Sequence, residues 1–200
     1  MNRVSRLENI RKADVRQRIM RTIIVYGSQY GTAKRYAEAL AGRTDSEVRS
    51  YEESMDLDAY DNIVFIGALY AGGVLGLKKT LSGIHDLKNK KIIIATVGLA
   101  DTNDRVNTET IRNSLKKQLS ENIFVHARIF HLRGGIDYSR LNLKHRTMMA
   151  LLYGKAKGLP EEKKTAEVKA MIDTYGKRVD FVDFNSLDPI IREIGYETAK

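Results

Sequence analysis

Short apolar runs alternate with amphipathic stretches through most of this chain. Ile23, Ile24, Val25 and Tyr26 form the first run, β-branched and aromatic, the signature of a buried strand. A polar turn follows, Gly27-Ser28-Gln29-Tyr30-Gly31-Thr32. Beyond it Ala33, Tyr36, Ala37, Leu40 and Ala41 recur at helical spacing, and Gly42 is placed to end that helix. Residues 47–51 read as a short second strand. Residues 62–68 (NIVFIGA) read as the third, a continuous apolar run of the kind found in parallel sheets covered on both faces. Val74, Leu75, Leu77 and Leu81 mark the next helix. Residues 91–97 (KIIIATV) form the fourth strand and 107–120 a helix with Ile111, Leu115 and Leu119 on one stripe. Residues 123–132 (IFVHARIFHL) form the fifth strand.

The last third is less regular. Gly134 and Gly135 end the fifth strand, and residues 141–153 begin an extra helical stretch. Residues 161–175 read as a helix with Val168, Met171, Ile172 and Tyr175 on its stripe, ended by Gly176. Residues 179–184 form an extended link, and Ser186 caps a final helix bearing Pro189, Ile190, Ile191 and Ile194. Strands alternating with helices predict an α/β, doubly wound sheet. There is no internal repeat.

Composition narrows this further. Two hundred residues, 42% hydrophobic, fit one domain with a proper core and no run near the roughly 18 apolar residues of a membrane span. The basic N-terminus lacks the apolar centre of a signal peptide. With no cysteine, disulfides, thiolate metal sites, iron–sulfur clusters and a cysteine nucleophile are excluded. The four histidines show no metal-ligand pattern; His126 and His131, five apart in the expected fifth strand, should face opposite sides. A cytoplasmic protein without a metal is the expectation.

Charge is unevenly placed. Of the net +9, residues 1–21 hold seven basic and two acidic side chains, and residues 133–157 six basic and one acidic. Residues 1–19 read as a disordered basic extension, or as a segment preceding a start at Met20. Aromatics are not interleaved with the charges, so nucleic acid is not an expected partner.

The strand, polar turn and helix over 22–40 make an anion site, because loop amides and the positive helix end point at one place. No Gly-Lys-Ser/Thr follows Gly31, and Gly27 and Gly31 stand four apart, which excludes a Walker loop and a dinucleotide fingerprint. A strand-to-helix turn with glycine for backbone reasons alone stays open on these residues. The spacing resembles the flavodoxin phosphate loop, Ser/Thr-x-x-Gly-x-Thr, with Ser28 first and Gly31 as its glycine. Ala33 stands where that family has its last threonine, and Thr32 next door is the candidate replacement hydroxyl.

The resemblance covers residues 20–200 and implies a flavodoxin-like, five-stranded parallel sheet in the order 2-1-3-4-5 with FMN at the switch point. Three loops would then form the cofactor site: Ser28, Gln29, Tyr30, Gly31, Thr32 and Ala33; Ala68, Leu69, Tyr70, Ala71, Gly72 and Gly73; and Val97, Gly98, Leu99, Ala100 and Asp101. The first cradles phosphate. The second sets Tyr70 beside small residues, suiting a planar ring, and the third is small and apolar. Asp101 reads either as a bond to the flavin edge or as the start of a turn.

Within this group the chain is similar to the branch that includes bacterial menaquinone-dependent protoporphyrinogen dehydrogenase. The shared features are the phosphate loop after the first strand, an Ile-Gly-small exit from the third, and a basic insertion after a fifth strand ending in glycine, here residues 134–158. The resemblance implies an FMN-dependent oxidoreductase passing electrons from an organic substrate, protoporphyrinogen among the candidates, to a quinone-type acceptor. The alternative is a flavodoxin-type electron carrier meeting a redox-protein partner. No side chain is nominated as catalytic, because the flavin supplies the chemistry. In the insertion, Met148 to Tyr153 are apolar while Arg140, Lys144, His145, Arg146, Lys155 and Lys157 flank them. Such a helix suits an anionic membrane surface, peripheral to its inner face, or a hydrophobic substrate; packing on the sheet with solvated ends is the other reading.

Overall fold

The computed structural model describes residues 20–70 and 72–196, so the N-terminal extension lies outside the described residues, as does Ala71. The long strands are β1 (Thr22–Gly27), β2 (Glu47–Ser50), β3 (Asn62–Tyr70), β5 (Lys91–Gly98) and β6 (Ala127–Arg133). They pair in parallel in the order β2-β1-β3-β5-β6. Counted as five long strands, this is the order 2-1-3-4-5. A further two-residue strand, β4 (Gly73–Val74), turns back antiparallel on the end of β3, with Leu69 opposite Val74.

Side chains alternate across the strands, so each strand feeds two cores. Ile24, Val64, Ile66, Ile93 and Ala95 face one side. There they pack on Tyr36, Ala37 and Leu40 of α1 (Thr32–Thr44) and on Ile190, Ile191 and Ile194 of α7 (Asp188–Ile194). Ile23, Val25, Ile63, Phe65, Ile92 and Ile94 face the other. They meet α2 (Leu77–Leu81), α3 (Arg105–Gln118) and α4 (Glu121–His126) through Leu77, Leu81, Ile111, Leu115 and Ile123. Full burial of each such side chain contributes about 1.5–3 kcal/mol, which is why the three central strands are mainly apolar, with Thr22, Asn62 and Thr96 as buried polar exceptions.

Several boundaries depart from the sequence expectation. Residues 123–126 are helical rather than the start of a strand. Ser120 Oγ accepts the Ile123 amide at 3.5 Å and opens α4, which closes before β6 begins. His126 therefore ends a helix, with Nδ1 donating to Asn122 O, and does not share a strand with His131. Helix α1 runs past Gly42 to Thr44, whose buried hydroxyl bonds Leu40 O; Asp45, at φ 45°, makes the stop. Val74 and Leu75 precede α2 instead of lying in it, because Val74 returns along β3. Ser186 does not cap α7: its hydroxyl donates to Asp183 O inside a short 3-10 turn.

The last third forms a cover at the carboxyl ends of the strands. Gly135 does not end a strand but opens β7 (Gly135–Asp137), which pairs antiparallel with β8 (Arg178–Asp180) in the expected extended link. Between them lie α5 (Leu143–Lys157) and α6 (Ala166–Thr174). The expected helix over 161–175 begins only at α6, where Thr165 Oγ1 accepts the Val168 amide. Ile136, Tyr138 and Met149 centre a third apolar cluster that takes in Tyr30, Leu99, Met148, Met171 and Tyr175. Tyr175 stacks on Tyr153 at 4.0 Å and meets Tyr138 edge-on at 5.2 Å, tying α5 and α6 to β7. Burial beside Tyr175 and Tyr30 pushes the Tyr138 phenol up to about 12.

Candidate functional site

The loops after β1, β3 and β5 open on one cavity of about 620 Å³, with α5 and α6 as its roof. That volume falls in the range of small-molecule and cofactor sites. Of the sequence-predicted residues, Ser28, Tyr30, Thr32, Ala68, Leu69, Tyr70, Gly72, Gly73, Val97, Gly98 and Leu99 line it. Gln29, Gly31, Ala33, Ala100 and Asp101 are not in its wall, and Ala71 lies outside the described residues.

The phosphate-loop end has donors to spare. The Ser28 hydroxyl is buried and has no hydrogen-bond partner. Gly31 takes φ +87° at the N-cap of α1, a left-handed turn that only glycine makes without strain, and no atom lies within 4 Å of where a Cβ would stand. It aims the unpaired amides of the first helical turn outward; the first bond back to the cap is Arg35 N–H to Gly31 O at 3.0 Å. Ala33 is fully buried under the sheet. Thr32 does not replace the missing hydroxyl, because its Oγ1 donates to Gly135 O at 3.0 Å. Gln29 instead reaches His145 of α5, at 3.2 Å between Nε2 atoms, while the Tyr30 ring meets the same imidazole edge-on. The Tyr30 hydroxyl is also buried without a partner, and burial, with Tyr70 nearby, raises its pKa.

The wall is mainly apolar. Tyr70 donates its hydroxyl to Met148 Sδ at 3.2 Å, so its ring is held against the roof. Met149, Leu152, Val168 and Met171 continue that surface, with Lys155 at the exposed side. Asp101 starts a turn, with Oδ1 accepting the Asn103 amide at 2.9 Å.

The β5 loop holds a group that sequence reasoning missed. Glu167 of α6 accepts the Leu99 amide at 3.0 Å and the Ala100 amide at 3.1 Å, one on each oxygen. It lies so close over Gly98 that a Cβ there would sit 2.2 Å from its Oε1. Burial raises the Glu167 pKa against the opposing pull of those amides and of Arg133. Arg133 clamps the same loop from the other side, donating Nε to Leu99 O at 3.2 Å. In the sequence nothing separates Glu167 from its neighbours Glu161 and Glu162.

The flavodoxin domain profile matches residues 23–163, well over half of the chain. The chain belongs to the flavodoxin domain family. FMN, the expected cofactor, is consistent with that membership. No curated protein sequence matches significantly. Among solved structures, a flavoprotein from Lactobacillus acidophilus crystallised with FMN is 14% identical, with 57% of this chain and 92% of that one covered at a TM-score of 0.39. A putative flavoprotein from Bacteroides eggerthii is 14% identical (66% and 97%, TM-score 0.42), and a flavodoxin variant from Pseudomonas aeruginosa 18% (68% and 95%, TM-score 0.37).

The orphaned Ser28 hydroxyl, the open left-handed Gly31 and the unpaired helix-start amides fit a phosphate. The apolar wall fits a flat ring. Among the described residues no group of three or more His, Asp or Glu is placed to hold a metal ion, and no helix is long and apolar enough to cross a membrane.

Proposed function

We propose that this chain binds FMN and acts as an oxidoreductase, passing electrons from a reduced, flat, apolar organic substrate to a quinone-type acceptor. FMN, when bound, supplies one- and two-electron transfer. Ser28 and the amides of the α1 start hold the phosphate, and Leu69, Tyr70, Gly98 and Leu99 border the ring. The single observation that carries the enzyme reading is the roof. Met148, Met149, Leu152 and Met171 extend the cavity beyond the three loops, giving adaptable apolar space for a second molecule and restricting water. A plain carrier presents its ring edge to partner proteins, and α5 and α6 stand over that face.

The exposed side of α5 supports a location for the acceptor. Leu143 and Leu151 are 80% and 64% exposed, with Lys144, Arg146 and Lys157 around them. We read this face as resting on an anionic membrane surface, where an apolar quinone would be met.

The test uses FMN-loaded protein, reduced anaerobically and mixed with a soluble menaquinone analogue or with air-protected protoporphyrinogen after reoxidation. Saturable return of flavin absorbance with the quinone, and bleaching by a tetrapyrrole or another apolar donor, is the expected result. Reoxidation by redox proteins with no response to either small molecule would leave the carrier reading in its place.

A further inference from the structure

We propose that Glu167 reads the polar edge of the ring bound in this cavity, selecting a ring that presents an N–H donor there. This rests on the flavin reading above. Two polar reading points border the cavity, whose lining is otherwise mainly apolar. One is the Ser28 loop, which takes the phosphate. At the other, the Leu99 and Ala100 amides would offer two donors to a ligand oxygen, but both are already taken by Glu167. Other side chains of that wall already hold hydrogen bonds: Asn107 donates to Asp101 O and also pairs with the Glu167 carboxylate, Ser114 donates to Gly72 O and Thr110 to Val106 O. The Glu167 carboxylate lines the cavity and has about four lone-pair sites, so acceptor capacity remains beyond the two amides and Asn107.

A flavin ring has one apolar edge and one edge reading carbonyl, N–H, carbonyl. With the phosphate held at Ser28, the Leu69 and Tyr70 wall would take the apolar part of the ring and the Glu167 carboxylate would accept its N3–H. The carboxylate is fixed for this. It sits in the first turn of α6, where the helix end favours negative charge, with its oxygens set by two backbone amides and Arg133 beyond the loop. Lys155 of α5 also borders the cavity. Glu167 is thus a specificity-determining residue supplied by the covering helix, not by the three loops.

The experiment compares FMN with N3-methyl FMN, titrated by fluorescence into the full-length protein and into Glu167→Met, which keeps an unbranched side chain over Gly98 without an acceptor. Glu167→Ala serves as the second variant if the first does not melt cooperatively. The wild type should bind N3-methyl FMN at least about tenfold more weakly than FMN, since a site built to hydrogen-bond a donor rejects the analogue lacking it. The variant should discriminate less than about threefold, since its side chain offers the N–H no acceptor to lose. Its flavin should also show a higher midpoint potential, because a fixed negative charge no longer opposes electron uptake. Equal affinities in the wild type, or equal discrimination in both proteins, would overturn the assignment while leaving FMN binding intact. No binding of FMN itself would instead remove the cofactor reading, and this one with it.

Discussion

Replacing Ser28 by alanine should move stability and cofactor affinity in opposite directions. Its hydroxyl is buried without a partner, a state that costs about 1–3 kcal/mol when nothing compensates. Removing that oxygen while keeping Cβ deletes the cost and leaves no cavity of consequence, so the cofactor-free variant should gain about 1 kcal/mol. For a chain of this size that is a rise of about 2–4 °C in Tm. With FMN the sign reverses. A hydrogen bond to a charged phosphate contributes about 1.5–3 kcal/mol, so its loss should raise the Kd about 10- to 150-fold. Thermal melts with and without saturating FMN, together with a fluorescence titration, read both effects on one preparation. A variant that is less stable without FMN, or that binds FMN as tightly as the wild type, would refute the reasoning that this hydroxyl is kept for a phosphate.

Three further outcomes follow from other parts of the molecule. Tyr36→Phe removes a hydroxyl that donates to Arg133 O at 2.8 Å and accepts the Asp183 amide at 3.1 Å. Both groups are left unpaired, and urea unfolding should show a loss of about 1–3 kcal/mol. Glu167 has a folded pKa raised above its ordinary 4.5, so the folded state holds its proton to higher pH than the unfolded chain does. Its favourable share of stability is therefore present below about that value and lost as pH rises through the folded pKa; the stability of the wild type relative to Glu167→Met should fall across that window and be flat on either side. Leu151→Glu, on the exposed face of α5, should reduce co-sedimentation with vesicles rich in anionic phospholipid severalfold and leave FMN affinity unchanged, whereas equal sedimentation would dismiss that face as a membrane contact.

Much of the sheet could be read from the chain because its central strands are buried on both faces. A mainly apolar run results, and residues 62–68 and 91–97 needed no context despite the buried Asn62 and Thr96. The switch at Ser120 was less legible: Ile123, Phe124 and Val125 are β-branched or aromatic, and their strand propensity hid a capping serine that makes the segment helical. The three loops were accessible because their ends fall at fixed places in a doubly wound sheet. What lay out of reach was the roof. Glu167 stands some seventy residues from the amides it binds, and local periodicity carries no information about such a pairing. Thr32 shows the same limit from the other side, since its hydroxyl looked free until β7 brought Gly135 O against it.

The most direct measurement is an absorbance titration of the purified chain with FMN, followed by gel filtration to remove unbound flavin. The account predicts flavin bands that stay with the protein near one equivalent per chain, with the perturbed spectrum of a ring moved into an apolar cavity. Protein that emerges colourless after exposure to excess FMN would contradict it, and the cavity beneath α5 and α6 would then belong to a different ligand.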